Sequence, residues 1–193
     1  TSRRQRQMCI RDSSGGAKES EPYRLYVAHI LRTEVDSIMN IRSHPQAIIM
    51  GDFNDYPTNQ SILKILKAEA PPVKTNDLAS TTDSANASTV TPSSLKLYHL
   101  LARKAKSKNF GSYKFRGEWG LLDHLIVSGT LLNQSNHFFT SEEKANVCLL
   151  PFLLKDDEKY GDKEPFRTYK GMKYQGGISD HLPIYTDFEL IVY

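Results

Sequence analysis

The spacing of apolar residues along the chain predicts a mixture of helices and short strands. Apolar positions recur at the period of a one-sided helix between Tyr23 and Met39. Ser20 stands at the N-cap position of this helix, and His44-Pro45 ends it. The apolar positions of the predicted helix are Val27, Ile30, Leu31, Val35, Ile38 and Met39.

The remaining pattern predicts several strands. Residues 47–50 form a fully apolar run, which is typical of a strand that is covered on both faces. Residues 112–115 and 119–127 run as strands around Arg116-Gly117-Glu118, and we expect them to form a hairpin. Further predicted elements are helices at 59–68 and 95–106, polar loops at 71–94 and 155–177, and a final strand at 184–192.

Composition limits the architecture to one domain, or at most two small ones, in 193 residues. No apolar run approaches the ~18 residues that a membrane helix needs. Two cysteines do not make a disulfide framework, and we expect Cys148 to be a buried thiol and Cys9 to be incidental. The net charge of +3 is only mildly basic, so a signal for nucleic acid has to come from local clustering.

The first 21 residues are polar and show no periodicity. We expect residues 1–21 to be a disordered or foreign segment and residues 22–193 to form the folded domain. Residues 4–13 in particular look foreign to their surroundings, although a natural flexible loop has the same composition.

Three short stretches carry the candidate chemistry, and each lies beside an apolar run. Asp52 and Asn54 follow the strand at 47–50, where a carboxylate can hold a divalent metal or orient a water and an amide can donate to a phosphate oxygen. Ordinary turn chemistry explains the same residues. Asp180-His181 offers a carboxylate and an imidazole, and Asp123 could fix that imidazole in one tautomer. A capping acid, a surface histidine and an acid at a sheet edge are the structural alternatives.

The strings IIMGDFND, WGLLDHLIVS and ISDHLPI, taken together, resemble the carboxy-terminal half of the endonuclease/exonuclease/phosphatase superfamily, whose members include deoxyribonuclease I-like enzymes. The resemblance covers about residues 20–193. It implies an α+β fold, a four-layer αββα sandwich of the deoxyribonuclease I-like type, incomplete at the amino terminus. It also implies metal-dependent hydrolysis of a phosphoester by in-line attack of water, with Mg²⁺ or Mn²⁺ as the cofactor.

Carried over residue by residue, the resemblance implies a role for each motif residue. Asp52 would activate or position the water, and Asn54 would contact the phosphate. Asp180 would be the metal ligand. His181, oriented by Asp123, would stabilise or protonate the phosphoryl oxygen, while His124 is treated as a structural neighbour.

The chain also departs from the family's pattern in its amino-terminal part. The family places a metal-binding Glu, a phosphate-contacting Asn and a second catalytic His in its amino-terminal half, and no segment before Asp52 matches them. We therefore expect the chain to hold the carboxy-terminal share of the site. The fragment alone is then expected to bind metal weakly and to be at risk of inactivity.

Basic and aromatic residues provide candidate contacts for the substrate. Seven Lys and Arg residues and no acid lie between 84 and 117, a stretch that also fits a solvated helix face. A second acid-free stretch leads directly into Asp180. The candidate substrate-binding residues are Arg167, Tyr169, Lys173 and Trp119.

The sequence leaves three functions open. The first is an endonuclease-like phosphodiesterase that acts on nucleic acid. The second is a phosphatase or lipid phosphodiesterase of the same superfamily, and the third is a catalytically inactive binding module. The expected partner is a phosphoester substrate, with no membrane span and no obligate protein partner, and both a cytoplasmic and a secreted location stay open.

Overall fold

The computed structural model describes residues 16–73 and 92–192. Cys9, the proposed foreign stretch 4–13 and most of the predicted loop at 71–94 lie outside the described residues. The first element is helix α1, Gly16–Ile41. Helix α1 therefore begins within residues 1–21, before the expected start of the folded domain at residue 22. Ser20 lies within the helix, where its hydroxyl accepts a hydrogen bond from Arg24 one turn later, so its predicted N-cap position is wrong.

Helix α1 buries a narrower stripe than its apolar pattern predicts. Ala28, Val35 and Met39 are buried and Leu31 is partly buried, at the helical spacing of one face. Val27, Ile30 and Ile38, also predicted to face the core, are exposed. The contact with the core runs from Ala28 to Met39, and the flanking apolar side chains are exposed.

The strands within the described residues are short. In chain order they are β1 Ile48–Asp52, β2 Ala68–Glu69, β3 Leu97–His99, β4 Tyr113–Phe115, β5 Glu118–Gly120, β6 Asp123–Ser128, β7 Phe138–Phe139, β8 Ala145–Val147, β9 Leu154–Asp156, β10 Lys163–Pro165, β11 Tyr169–Lys170, β12 Lys173–Tyr174, β13 Ile184–Thr186 and β14 Glu189–Leu190. Single turns of other helices are a π-helix at Ser61–Leu66 and 3-10 helices at Lys104–Lys106, Gly129–Leu132 and Pro151–Leu153.

A four-stranded sheet in the order β1-β6-β3-β2 forms the centre of the fold. Strand β6 runs antiparallel to both β1 and β3, whereas β2 and β3 are parallel. Successive side chains of a strand point to opposite faces, so Ile126 enters one hydrophobic cluster while Leu125 and Val127 enter the other. Burial on both faces explains why this strand has a continuous apolar sequence. The strand predicted at 47–50 is confirmed as β1, but its expected cover on both faces is wrong, because Ile48 is 46% and Met50 60% exposed. The strand predicted at 119–127 is present as β5 and β6.

Four other predictions are corrected. The helix at 95–106 is wrong, because Leu97, Tyr98 and His99 pair with β6 as strand β3 and are buried on both faces. The helix at 59–68 is limited to the six-residue π-helix. The region at 155–177 contains strands, and the final strand is two short ones. The hairpin of β4 and β5 is confirmed.

The sheet separates two hydrophobic clusters. Helix α1 and the π-helix cover one face, and two-stranded ribbons with their connecting turns cover the other. The mixed α/β arrangement of the described residues is compatible with the expected fold class, but a four-layer sandwich is not confirmed. Cys148 is a half-buried free thiol at the edge of the larger cluster.

Candidate active site

Strands β1 and β6 bring two of the predicted carboxylates to the same edge of the sheet. In the antiparallel register Asp52 lies opposite Asp123, each at the end of its strand. Directly after β1 the chain turns, and Asn54 takes a left-handed conformation with φ of 51°, which asparagine tolerates better than most residues. Its backbone N–H donates to Asp52 Oδ1 at 2.8 Å, and its side-chain Nδ2 lies 3.3 Å from Asp52 Oδ2. The turn therefore holds the two side chains side by side.

His181 reaches this edge from the last part of the chain. Residues 181 and 182 run beside β4, where His181 forms a bridge with Tyr113 and the Leu182 N–H donates to the Ser112 carbonyl at 2.7 Å. The imidazole Nδ1 then lies 2.7 Å from Asp123 Oδ2. The same carboxylate oxygen accepts a hydrogen bond from the buried Ser112 hydroxyl. Asp123 is thus held from one side and orients the imidazole on the other.

The environment of His181 shifts its protonation. Burial alone lowers the pKa of this imidazole, but the hydrogen bond and the charge of Asp123 outweigh burial and raise the pKa above its ordinary value. The charges of Asp52 and Asp180 act in the same direction. Because the hydrogen bond to Asp123 occupies Nδ1, Nε2 is the ring nitrogen that remains for a substrate. The raised pKa keeps a larger share of the imidazole charged near neutral pH.

Asp52, Asp123 and His181 form the one group in the described part of the chain whose acidic and imidazole side chains could share a metal ion. Their ligand atoms lie within 4.8 Å of one another. Carboxylate oxygens suit a hard cation such as Mg²⁺, and a mixed oxygen and nitrogen set also suits Mn²⁺. An ion on His181 Nδ1 would replace the hydrogen bond to Asp123, so the two carboxylates are the better donors.

Asp180, which sequence reasoning assigned to the metal, lies beside this group and not within it. Its side chain is exposed, and it is not among the three clustered residues. The preceding residue fixes the turn, because Ser179 Oγ accepts the His181 backbone N–H at 3.1 Å. A metal held by Asp180 and a metal held by the clustered carboxylates are thus neighbouring alternatives on the same edge.

The four candidate substrate-binding residues fall into different places. Arg167 is connected to the cluster through Tyr113, since its guanidinium lies 5.7 Å from the ring centre of Tyr113, which itself contacts the His181 ring. Tyr169 and Lys173 are exposed on the β11–β12 hairpin. Trp119 pairs with Lys114, on the opposite face of the β4–β5 ribbon from Tyr113, and packs against the larger hydrophobic cluster.

Sequence reasoning missed several residues that build the site. Ser112 is a serine at the start of a strand, and nothing in its local sequence marks it. His99 was assigned to a helix, yet it is fully buried in β3 and its Nε2 bonds to His124 Nδ1 behind the carboxylates. His124 fits its treatment as a structural neighbour, because its own side chain is buried. The fully apolar neighbours of His99, from Leu97 to Leu101, were the available signal for a buried strand.

Comparison with known proteins identifies the family of the chain. A family model described as the endonuclease/exonuclease/phosphatase family matches residues 10–190, which includes every motif at the site. The comparisons with curated proteins and with solved structures gave no match. No helix in the described residues has the length and apolar character to cross a membrane. The match spans most of the sequence, and the chain therefore belongs to the endonuclease/exonuclease/phosphatase family.

Proposed function

We propose that this protein is a divalent-metal-dependent phosphodiesterase that cleaves nucleic acid by in-line attack of water. Family membership supports hydrolysis of a phosphoester bond. The observation that carries the finer proposal is the hydrogen-bonded pair of Asp123 and His181 beside Asp52. A carboxylate that accepts protons and an imidazole that donates them are there available at one edge of the sheet.

The proposed roles follow from the positions of these side chains. Asp52 accepts the proton of the attacking water, and Asn54, from the adjacent turn, donates its amide hydrogen to a phosphate oxygen. His181 donates the proton on Nε2 to the phosphoryl or leaving oxygen, and Asp123 stabilises the charged imidazole through Nδ1. A positioned acid–base group of this kind contributes about 10²–10⁴ in rate.

The donor set fits a hard divalent ion. Asp180 would hold Mg²⁺ or Mn²⁺, with phosphate oxygens of the substrate completing the coordination. The clustered carboxylates of Asp52 and Asp123 are the neighbouring alternative donors. When bound, such an ion supplies positive charge that stabilises the phosphorane-like transition state.

Exposed aromatic and basic residues on the segment that leads to His181 support nucleic acid as the substrate. The β11–β12 hairpin carries Tyr169, Lys170, Lys173 and Tyr174, all exposed, and Met172 at its tip is 99% exposed. Hydrogen bonds at its base, from Ile178 N–H to the Phe166 carbonyl at 2.7 Å among them, connect it to the segment that carries His181. Aromatic rings offer stacking to bases and lysines offer charge to phosphates, a combination typical of single-strand contacts.

A direct test compares substrates side by side. Supercoiled plasmid, single-stranded DNA, sphingomyelin and an inositol phosphate are incubated with the protein in Mg²⁺, in Mn²⁺ and in excess EDTA. We expect cleavage of DNA that EDTA abolishes. Preferential turnover of sphingomyelin or the inositol phosphate would replace the nucleic-acid substrate with a lipid or sugar phosphate. DNA binding that resists EDTA and brings no turnover of any substrate would contradict hydrolysis and support a binding module.

The metal role of Asp180 is tested by Asp180→Asn, which keeps the shape and removes the charge. We expect this change to abolish Mg²⁺-dependent turnover while leaving the thermal unfolding midpoint nearly unchanged, since the side chain is exposed. Asp187→Asn makes the same change at another exposed aspartate, between β13 and β14, and should keep activity. Turnover by Asp180→Asn equal to that of the unmodified protein would exclude the assigned role.

A further inference from the structure

Two histidines behind the candidate site are hydrogen-bonded to each other in the interior of the protein. His99 in β3 and His124 in β6 both have no exposed surface, and their rings meet edge to face with centres 4.7 Å apart. Buried histidines of this kind carry polar atoms that need partners, and each ring nitrogen of the pair has one. The arrangement is therefore a complete hydrogen-bond chain.

The hydrogen bonds of these two histidines all run in one direction from donor to acceptor. The Leu101 backbone N–H donates to His99 Nδ1 at 3.1 Å, so that nitrogen is an acceptor and His99 carries its hydrogen on Nε2. His99 Nε2 then donates to His124 Nδ1, and His124 Nε2 donates to the Asp55 carbonyl at 2.8 Å. Both rings are neutral in this arrangement. Burial lowers the pKa of His99 to about 3 and also lowers the pKa of His124, which agrees with neutral rings at physiological pH.

The Asp55 carbonyl accepts the last of these hydrogen bonds, and it belongs to the turn that carries the catalytic candidates Asp52 and Asn54. The β1 ladder stops at Asp52, and the Phe53 N–H donates to the Leu122 carbonyl as the strand ends. Beyond that point the backbone turns at Asn54, and the next carbonyl, that of Asp55, points to His124. The Phe53 ring also contacts His124 edge to face, with centres 5.0 Å apart.

The side chain of Asp55 fixes the other side of the turn. This buried carboxylate accepts a hydrogen bond from Ser61 Oγ at 2.6 Å and another from the Asn59 amide. Arg24 of α1 lies 2.9 Å from it as an ion pair. The turn at 53–55 is thus held by the π-helix region and α1 from one side, and by the two histidines from the sheet side.

We propose that His124, supported by His99, is a positioning residue that sets the Asp52–Asn54 turn against the Asp123–His181 pair. The proposal rests on the proposed function, because it concerns the same hydrolytic site. His124 contacts neither the phosphate nor the metal in this account and acts through the Asp55 carbonyl. Its neighbour in sequence, Asp123, faces the site, while His124 faces the interior.

The test compares His124→Gln with His124→Met, two side chains of similar length and volume. Glutamine can donate to the Asp55 carbonyl and accept from His99, whereas methionine can do neither. We expect His124→Met to lower kcat by about 10²-fold, the scale of a misplaced catalytic geometry, with little change in KM. His124→Gln should recover most of that loss. Equal kcat values for the two folded variants would overturn the proposal.

A control variant separates positioning from general loss of stability. Ser128→Ala removes a buried hydroxyl at the opposite end of β6, and we expect it to lower the unfolding midpoint while leaving kcat unchanged. A parallel fall in kcat for Ser128→Ala at matched stability would show that any weakening of β6 reduces activity, and would overturn a specific role for His124.

A second readout does not depend on catalysis. The backbone N–H of Asn54 donates to Asp52 Oδ1. We expect the hydrogen exchange of this N–H to accelerate in His124→Met and not in His124→Gln. If the protein hydrolyses no phosphoester, the proposed function fails while this measurement still tests the positioning. In the unmodified protein, imidazole ¹⁵N spectra should show hydrogen on Nε2 of both histidines. A hydrogen on His124 Nδ1, or unchanged Asn54 exchange in the methionine variant, would overturn the proposal.

Discussion

The two ends of strand β6 are both fixed by buried polar side chains, but the chemistry of the two ends differs. At one end Asp123 bonds to Ser112 and His181 while His124 bonds to His99. At the other end Ser128 Oγ accepts the Ala47 N–H at 3.0 Å and lies 3.1 Å from the Pro45 carbonyl, which also accepts from Thr130. The second network contains no group that titrates near neutral pH.

This difference shows how one strand serves both as scaffold and as site. The Ser128 network bonds to the backbone just before β1 begins, next to the first residue pair of the β1–β6 ladder. The register that begins there, with Ile48 opposite Val127, ends with Asp52 opposite Asp123. The same antiparallel register thus has neutral hydrogen bonds beside one end and two facing carboxylates at the other.

The largest predicted difference between the two ends is in the rate of reaction. His181→Ala removes the proposed acid, and we expect kcat to fall by about 10²–10⁴ on the preferred phosphoester. Initial rates at saturating substrate measure this effect. His137→Ala, a change of the same kind at an exposed histidine near β7, is the control and should retain activity. Turnover by the His181 variant at the level of the control would contradict the mechanism.

A smaller effect separates the charge of Asp123 from its shape. The hydrogen bond and the charge of Asp123 raise the pKa of His181 against the opposing effect of burial, so Asp123→Asn should lower that pKa. If protonated His181 is the working form, activity is lost as the pH rises through this pKa. The alkaline limb of the profile of kcat/KM should then move to lower pH in Asp123→Asn. A limb that stays in place would argue that another group controls it.

The smallest predicted effect concerns stability in acid. Burial lowers the folded-state pKa of His99 to about 3 from an ordinary value of 6.5, so the unfolded chain binds the proton first as the pH falls. The stability that neutral His99 contributes is present above about pH 6.5 and declines towards pH 3. Urea unfolding at pH 7, 5.5 and 4 measures how the free energy of unfolding falls as the pH is lowered. His99→Gln should make this fall smaller.

A control from the other end of β6 sharpens this last prediction. Thr130→Val removes a hydroxyl that bonds to the Pro45 carbonyl and to Ser128, and we expect a loss of about 1–3 kcal/mol that is the same at each pH. A changed pH dependence of the unfolding free energy in Thr130→Val would contradict the distinction between a titrating and a neutral end of β6. An unchanged pH dependence in His99→Gln would contradict it as well.

The structure brings together Asp52, Asp123 and His181, which the sequence analysis named, although several of the surrounding elements were predicted wrongly. Asp52 and Asp123 lie on β1 and β6, which their apolar sequences predicted as strands, although only β6 is buried on both faces. The segment 97–101 is equally apolar and was assigned to a helix. Short apolar runs do not distinguish a buried helix from a buried strand, and here the pairing of β3 with β6 decides between them.

Long-range contacts account for what the sequence did not predict. Ser112 matters because β4 brings it to Asp123, and His99 matters because β3 brings it to His124, 25 residues away. Neither residue has a local motif. The strands β9 to β12 were missed for a related reason, because they are short, polar ribbons whose pairing depends on turns and not on alternation of burial.

Trp119 gives the protein an internal optical reporter. It is the chain's single tryptophan, and it lies on β5 with the Lys114 ammonium 5.9 Å from its ring centre. Lys114 is itself fixed by a buried ion pair with Asp157 at 3.1 Å. The indole therefore lies in a defined environment on the β4–β5 ribbon. Ser112, which bonds to Asp123, directly precedes that ribbon. The indole fluorescence should report unfolding of that ribbon in every variant above without an added label.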